Sequence, residues 1–149
     1  MFRQGRRLFT AASLGLIVVA LMHSLGHFSP EPDDLGFKAV RGAMRSYHLG
    51  LGLGMQPSLH DVFSSLSLTM SVTLLLLGVL NLLVARSDEG GRMVRAAAAA
   101  SVIGVGVLVG IFLYYRIPPP LIALGIVEAL FVLSLALPDR STAASGGKA

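Results

Sequence analysis

LFTAASLGLIVVALMHSLGHF, residues 8–28, decides how the rest of the chain is read. It holds no Asp, Glu, Lys or Arg. As a helix rising about 1.5 Å per residue it covers roughly 30 Å, the hydrocarbon thickness of a bilayer. It therefore reads as a membrane crossing. Its ionisable groups, His23 and His27, sit near its far end.

Three more apolar runs lie downstream, at about 62–84, 94–115 and 120–137. With the first they take up more than half of the 149 residues, which leaves too little chain for a separate soluble core. Charged residues make up 13% of the sequence, against about 25% in soluble domains. The expected architecture is all-α: one integral-membrane four-helix bundle spanning 1–149. MFRQGRR followed by an apolar run also resembles a signal peptide, with Ser24 and Gly26 as small residues before a cleavage site. The apolar run exceeds the usual signal core of about 7–15 residues, so it is read as a retained span.

Basic residues set the orientation. Arg3, Arg6, Arg7, Arg86, Arg92, Arg95, Arg140 and Lys148 fall on one side, and Lys38, Arg41, Arg45 and Arg116 on the other. The positive-inside rule then places both termini in the cytoplasm. The net charge of +4 is read as topology signal and headgroup contact, not as a nucleic-acid footprint. The absence of Cys excludes disulfides, CxxC redox centres and thiolate metal sites.

Residues 29–61 form the long outer loop. SPEPDD stops the first span, because Pro30 and Pro32 cannot continue a helix. Asp33 or Asp34 is positioned as the next N-cap. Phe37, Val40, Met44, Tyr47 and Leu51 then recur at 3-4-3-4 spacing, with Lys38, Arg41, Arg45 and His48 on the neighbouring stripe. This predicts an amphipathic helix with a basic face, either flat on the outer interface or folded over the bundle mouth. LGLGLGM, 49–55, lacks the strand–helix unit of a dinucleotide site and reads as a flexible return to the membrane. Ser58 is the expected cap of the second span, with His60 and Asp61 in its first turn. Residues 85–95 form a charged cytoplasmic hairpin turning at Gly90-Gly91, and Ile117–Pro120 an outer turn. Pro138, Asp139 and Arg140 end the fourth span, and 139–149 is a disordered tail.

Small and polar residues mark helix contacts. Ala12, Gly15, Val19, His23 and Gly26 share one face; Ser64, Ser67, Ser71, Gly78, Asn81 and Ala85 share another; Gly106 and Gly110 form GxxxG. Asn81 is expected to cap or to bond between helices at the cytoplasmic end. Close contact at GxxxG can be internal or between protomers, so a homo-oligomer or a membrane-protein partner is left open beside the lipid bilayer itself.

The residues that could carry chemistry are few. Glu128 lies roughly 12 Å below Pro120, near the midplane, where an ionisable group is expensive unless neutral, paired or wet. His23 lies about 7–8 Å below Phe28. If the first and fourth spans are neighbours, these two side chains can meet. His23 and His27 stand at i, i+4 and face the same way. With His60 and Asp61, and His48 nearby, they could ligate zinc, copper or iron; haem would take His23 or His27 with His60. The pattern by itself calls for no cofactor. The leading expectation is a non-enzymatic structural, accessory or ligand-binding bundle. Its polar pocket is lined by His23, His27 and Glu128. The alternatives are a metal or haem component and proton-coupled transport through Glu128.

LGLIVVALMHSLGHF in the first span and SSLSLTMSVTLLLLGVLNLLVAR in the second, about a quarter of the chain, resemble the broad DoxX-like group of small four-span bacterial membrane proteins. The shared features are a His-bearing first span and the G-x-x-N-L of Gly78–Leu82. The resemblance implies a bacterial inner-membrane location and a four-helix fold, and it brings no catalytic residues.

Overall fold

Caps and prolines set where each helix begins and ends. The computed structural model describes residues 4–50, 52–88 and 91–137, and among them the chain forms five helices and no strand. These are α1 (Gln4–Phe28), α2 (Leu35–Ser46), α3 (Leu59–Ser87), α4 (Arg92–Tyr114) and α5 (Pro118–Ala136). Helices α1, α3, α4 and α5 are long and apolar enough to cross a membrane, and each expected span falls within one of them to a residue. Arg3, Leu51, Gly90, the 138–140 stop, the 139–149 tail and Lys148 lie outside the described residues.

The chain divides into two compact units, one of 1–19 with 74–149, the other of 20–73. In the first, four helical segments close a ring of contacts. α1 meets α3 at Gly78, where an added Cβ would lie 2.8 Å from the Ser13 carbonyl oxygen. α3 meets α4 through Asn81 Nδ2, which donates to Ser101 Oγ at 2.9 Å in a buried bond. α4 meets α5 where Gly106 faces the Glu128 carboxyl. α5 returns to α1 through Gly15 against Val127 and through an edge-to-face pair of Phe9 and Phe131, 5.7 Å between centroids. Leu16, Leu74, Val105 and Leu124 fill the interior. The buried hydroxyls of Ser13 and Ser134 are satisfied one turn back, on the carbonyls of Phe9 and Phe131.

The outer surface of this unit carries many large apolar side chains. Val18, Leu80, Ile103, Val107, Ile122 and Ile126 are all exposed. A water-soluble monomer rarely exposes contiguous apolar surface on this scale.

The connections show what the helix pattern alone does not. Asp88, read above as one more loop charge, caps α4: its carboxylate accepts from Gly91 N at 3.0 Å and Val94 N at 2.8 Å. Gly91 holds φ 75°, where a side chain would be strained. Asp88→Ala is expected to cost about 1–2 kcal/mol, read as a lower midpoint in thermal unfolding. At the end of α4, Ile117 N reaches back to Phe112 O at 3.0 Å, closing a Schellman-type cap. The residue carrying its left-handed turn is Arg116, at φ 55°. Arg116→Gly should therefore stabilise by about 1 kcal/mol, checked in the same assay. Helix α5 starts at Pro118, two residues before the expected span. Its first-turn N–H groups have no helical acceptor, so prolines there sacrifice nothing.

In the second unit Asp34 caps α2, accepting from Phe37 N at 2.7 Å. The spacing predicts a helix running on towards Leu51, but α2 ends at Ser46. Tyr47–Leu49 instead pairs with Pro57–Leu59: Leu49 N donates to Pro57 O at 2.9 Å and Leu59 N to Tyr47 O at 2.8 Å. These bonds between two segments of the chain replace the next helical turn. Gly52 and Gly54, at φ 82° and 76°, reverse the chain between them. The glycine-rich return is thus tied at both ends. Ser58 and Asp61 form a reciprocal cap on α3: Ser58 N and Oγ donate to Asp61 Oδ2, and Asp61 N donates to Ser58 Oγ.

Candidate functional site

The end of α1, the inner face of α2 and the first turns of α3 enclose a cleft of about 300 Å³. Its apolar wall is Phe37, Val40, Met44 and Phe63, and its polar groups are His27, Arg41, His60, Ser64 and Ser67. The heptad spacing that marks α2 as amphipathic puts Phe37, Val40 and Met44 on this wall.

Arg41 organises the polar side. Its Nε donates to His60 Nε2 at 3.2 Å, and its Nη1 pairs with Glu31 Oε1 at 2.7 Å. Its guanidinium also stands 5.5 Å from the Phe37 ring centroid. Arginine can only donate, so His60 Nε2 is the acceptor in this contact and Nδ1 is the ring's other nitrogen. That nitrogen faces Asp61 Oδ1 at 4.0 Å, beyond hydrogen-bond reach. Glu31 also takes Arg45 at 2.9 Å, and Asp33 takes Lys38. Lys38, Arg41 and Arg45 of the basic stripe thus all pair with acids of the 29–34 segment, the two arginines sharing Glu31. The segment's sequence signal was the PEPDD run, read above as a helix stop followed by an N-cap.

His23 Nε2 bonds Ser67 Oγ at 3.0 Å, joining α1 to α3 beside the cleft. His27 lines the cleft itself and packs edge-on against Phe28. His60 lines it too, whereas Asp61 is exposed and engaged in the α3 cap. His48 is exposed, with Nδ1 on Ser46 O at 3.0 Å. Among the described residues no three His, Cys, Asp or Glu side chains are grouped so as to hold a metal ion.

The remaining candidates lie elsewhere. Ser71 is buried and bonds Ser67 O, and Gly78 and Asn81 sit in the helix contacts described above. Glu128 belongs to the four-helix unit. Its Oε1 lies 3.3 Å from where a Gly106 Cβ would be, and its Oε2 is buried with no hydrogen-bond partner among the described residues. Gly110 is exposed, with open space around it.

In comparisons with known proteins, no family model, no curated protein and no solved structure matches this chain. What the fold defines is a class: four apolar helices that point to a multi-pass membrane protein.

Proposed function

We propose that the chain is a non-enzymatic four-pass protein of the bacterial inner membrane, DoxX-like in plan, that binds a small ligand in the α1–α2–α3 cleft. In this reading both termini are cytoplasmic and α2 lies at the outer face. The observation that carries it is the cleft: Arg41, His27, Ser64 and Ser67 line it beside an aromatic and aliphatic wall. A ligand with one accepting head and an apolar body suits such a lining. Because Lys38, Arg41 and Arg45 all pair with acids within the chain, α2 is held at the interface by exposed apolar side chains such as Leu35 more than by lipid charge.

Two experiments test this. The chain has no Cys, so single-cysteine variants label without background. Ser29→Cys should react with a membrane-impermeant maleimide in intact spheroplasts, and Ser87→Cys only after permeabilisation. The reverse pattern would overturn the topology. For the cleft, a dansyl-labelled medium-chain carboxylate should brighten with purified protein. Arg41→Gln should weaken that binding about tenfold or more, the loss of one charge-assisted hydrogen bond. Unchanged binding would remove the cleft from consideration. A Soret band, or stoichiometric metal lost on His23→Ala, would favour the metal or haem reading instead.

The unpartnered Oε2 of Glu128 supports a second reading, proton-linked transport through that carboxyl. It requires pH-dependent flux in liposomes that Glu128→Gln abolishes.

A further inference from the structure

A second cleft, of about 290 Å³, lies in the four-helix unit between the start of α1 and the end of α3. Arg6, Thr10, Leu14, Leu82, Ala85 and Arg86 line it. Its polarity is graded along the helices. Arg6 is in the first turn of α1 and Arg86 in the last turn of α3. Leu14 lies about 12 Å further along α1, and Leu82 about 6 Å back along α3. Two cations therefore sit at one end of a slot whose other end is aliphatic.

The two arginines are held differently. Arg6 Nη2 donates to the Ala85 carbonyl, one of the acceptors left open at the end of α3. This holds its guanidinium at the cleft, where its other N–H groups have no partner among the described residues. Arg86 is exposed and has no side-chain partner among the described residues. Asp88, a carboxylate near this end, caps α4. A guanidinium with no acidic partner among the described residues, with a fixed one in the same cleft above leucines, matches a molecule with an anionic phosphate head and acyl chains.

We propose that this cleft binds an anionic glycerophospholipid of the cytoplasmic leaflet, its phosphodiester on Arg6 and Arg86 and an acyl chain along Leu14 and Leu82. The site rests on the membrane reading but not on any ligand of the α2 cleft. A bound lipid bridges α1 to α3 where α3 gives way to the α4 connection, so it also clamps the bundle.

The test uses the purified full chain in neutral detergent, titrated with dioleoylphosphatidylglycerol or dioleoylphosphatidylcholine. Native mass spectrometry and the melting temperature are followed together. Phosphatidylglycerol should remain bound and raise the melting temperature, and phosphatidylcholine should do neither. Arg86→Gln should weaken phosphatidylglycerol binding about fivefold, and the pair Arg6→Gln with Arg86→Gln about 25-fold. Arg86→Lys should keep most of it. Arg95→Gln, the same charge change outside the cleft, should leave it intact. Glycerol 1-phosphate, a head without chains, should not compete at millimolar concentration. Equal binding of the two lipids, equal loss from Arg95→Gln, or full competition by glycerol 1-phosphate would each overturn the proposal. Failure of the protein to partition into membranes would defeat the membrane reading itself, and that is scored separately by flotation.

Discussion

Gly78→Leu is expected to prevent the four-helix unit from assembling, and Gly78→Ala to destabilise it by about 2–3 kcal/mol, the upper part of the overpacking range. An added Cβ would meet the Ser13 carbonyl oxygen at 2.8 Å, Ile17 Cγ1 at 2.7 Å and Ile17 N at 3.3 Å. Two of those atoms are backbone, so no rotamer change relieves the clash; α1 and α3 must move apart. In a lipid environment there is little hydrophobic force between helices, so close packing carries the association. Separation would also strain the buried Asn81–Ser101 bond on the next flank of α3. Unfolding in mixed detergent micelles, followed by circular dichroism or cysteine accessibility, measures the loss. Gly104→Ala and Gly110→Ala supply the control. Nothing lies within 4 Å of a Cβ at either position, and replacing helical glycine by alanine there should be neutral or favourable by up to about 1 kcal/mol.

Glu128→Leu carries the opposite sign. Glu128 Oε2 is buried without a partner among the described residues, and the carboxyl rests against Gly106 on α4. A buried polar atom without a hydrogen bond costs roughly 1–3 kcal/mol. An acid well inside an apolar span is costly on every insertion scale. Leucine is shorter than glutamate, so it can occupy the site without pressing on Gly106. The variant should therefore be more stable than the parent by about 1–3 kcal/mol, with a raised melting temperature in the same micelles. Gly106→Ala should tell the same story from the other side. Its Cβ would stand 3.3 Å from Oε1, an atom at the end of a flexible side chain, so its cost should stay below that of Gly78→Ala. A stabilised Glu128→Leu protein that no longer supports pH-dependent flux would show that the acid is kept for what it does. A destabilised one would mean that the carboxyl has found a donor and holds the bundle together.

Most of the helical plan can be read directly from residue order. Apolar length identifies four crossings, Asp34 and Ser58 announce helix starts, and Pro30, Pro32 and the 118–120 run punctuate them. These signals are local: a cap or a proline acts within one turn of itself, and hydropathy needs only a window of about 19 residues. Even so, local spacing extended α2 beyond Ser46. Periodicity does not register that Tyr47 and Leu49 have better backbone partners at Leu59 and Pro57, twelve and eight positions away.

What tertiary structure alone decided is which polar groups find one another. The His23/His27 spacing put both rings on one face and left a polar pocket or shared metal ligation open. The fold gives His23 to Ser67 and leaves His27 facing a cleft whose key cation is Arg41. Arg6 and Arg86 stood in the sequence only as topology signals 80 positions apart, and packing of α1 on α3 makes them one site. Asp88 and Glu31 looked alike as loop acids; one became a helix cap and the other an arginine clamp. The reason is range. Burial and helix formation are set by each segment's own composition, whereas a hydrogen bond needs two groups within about 3 Å, and only the folded chain brings residues so far apart in sequence to that distance.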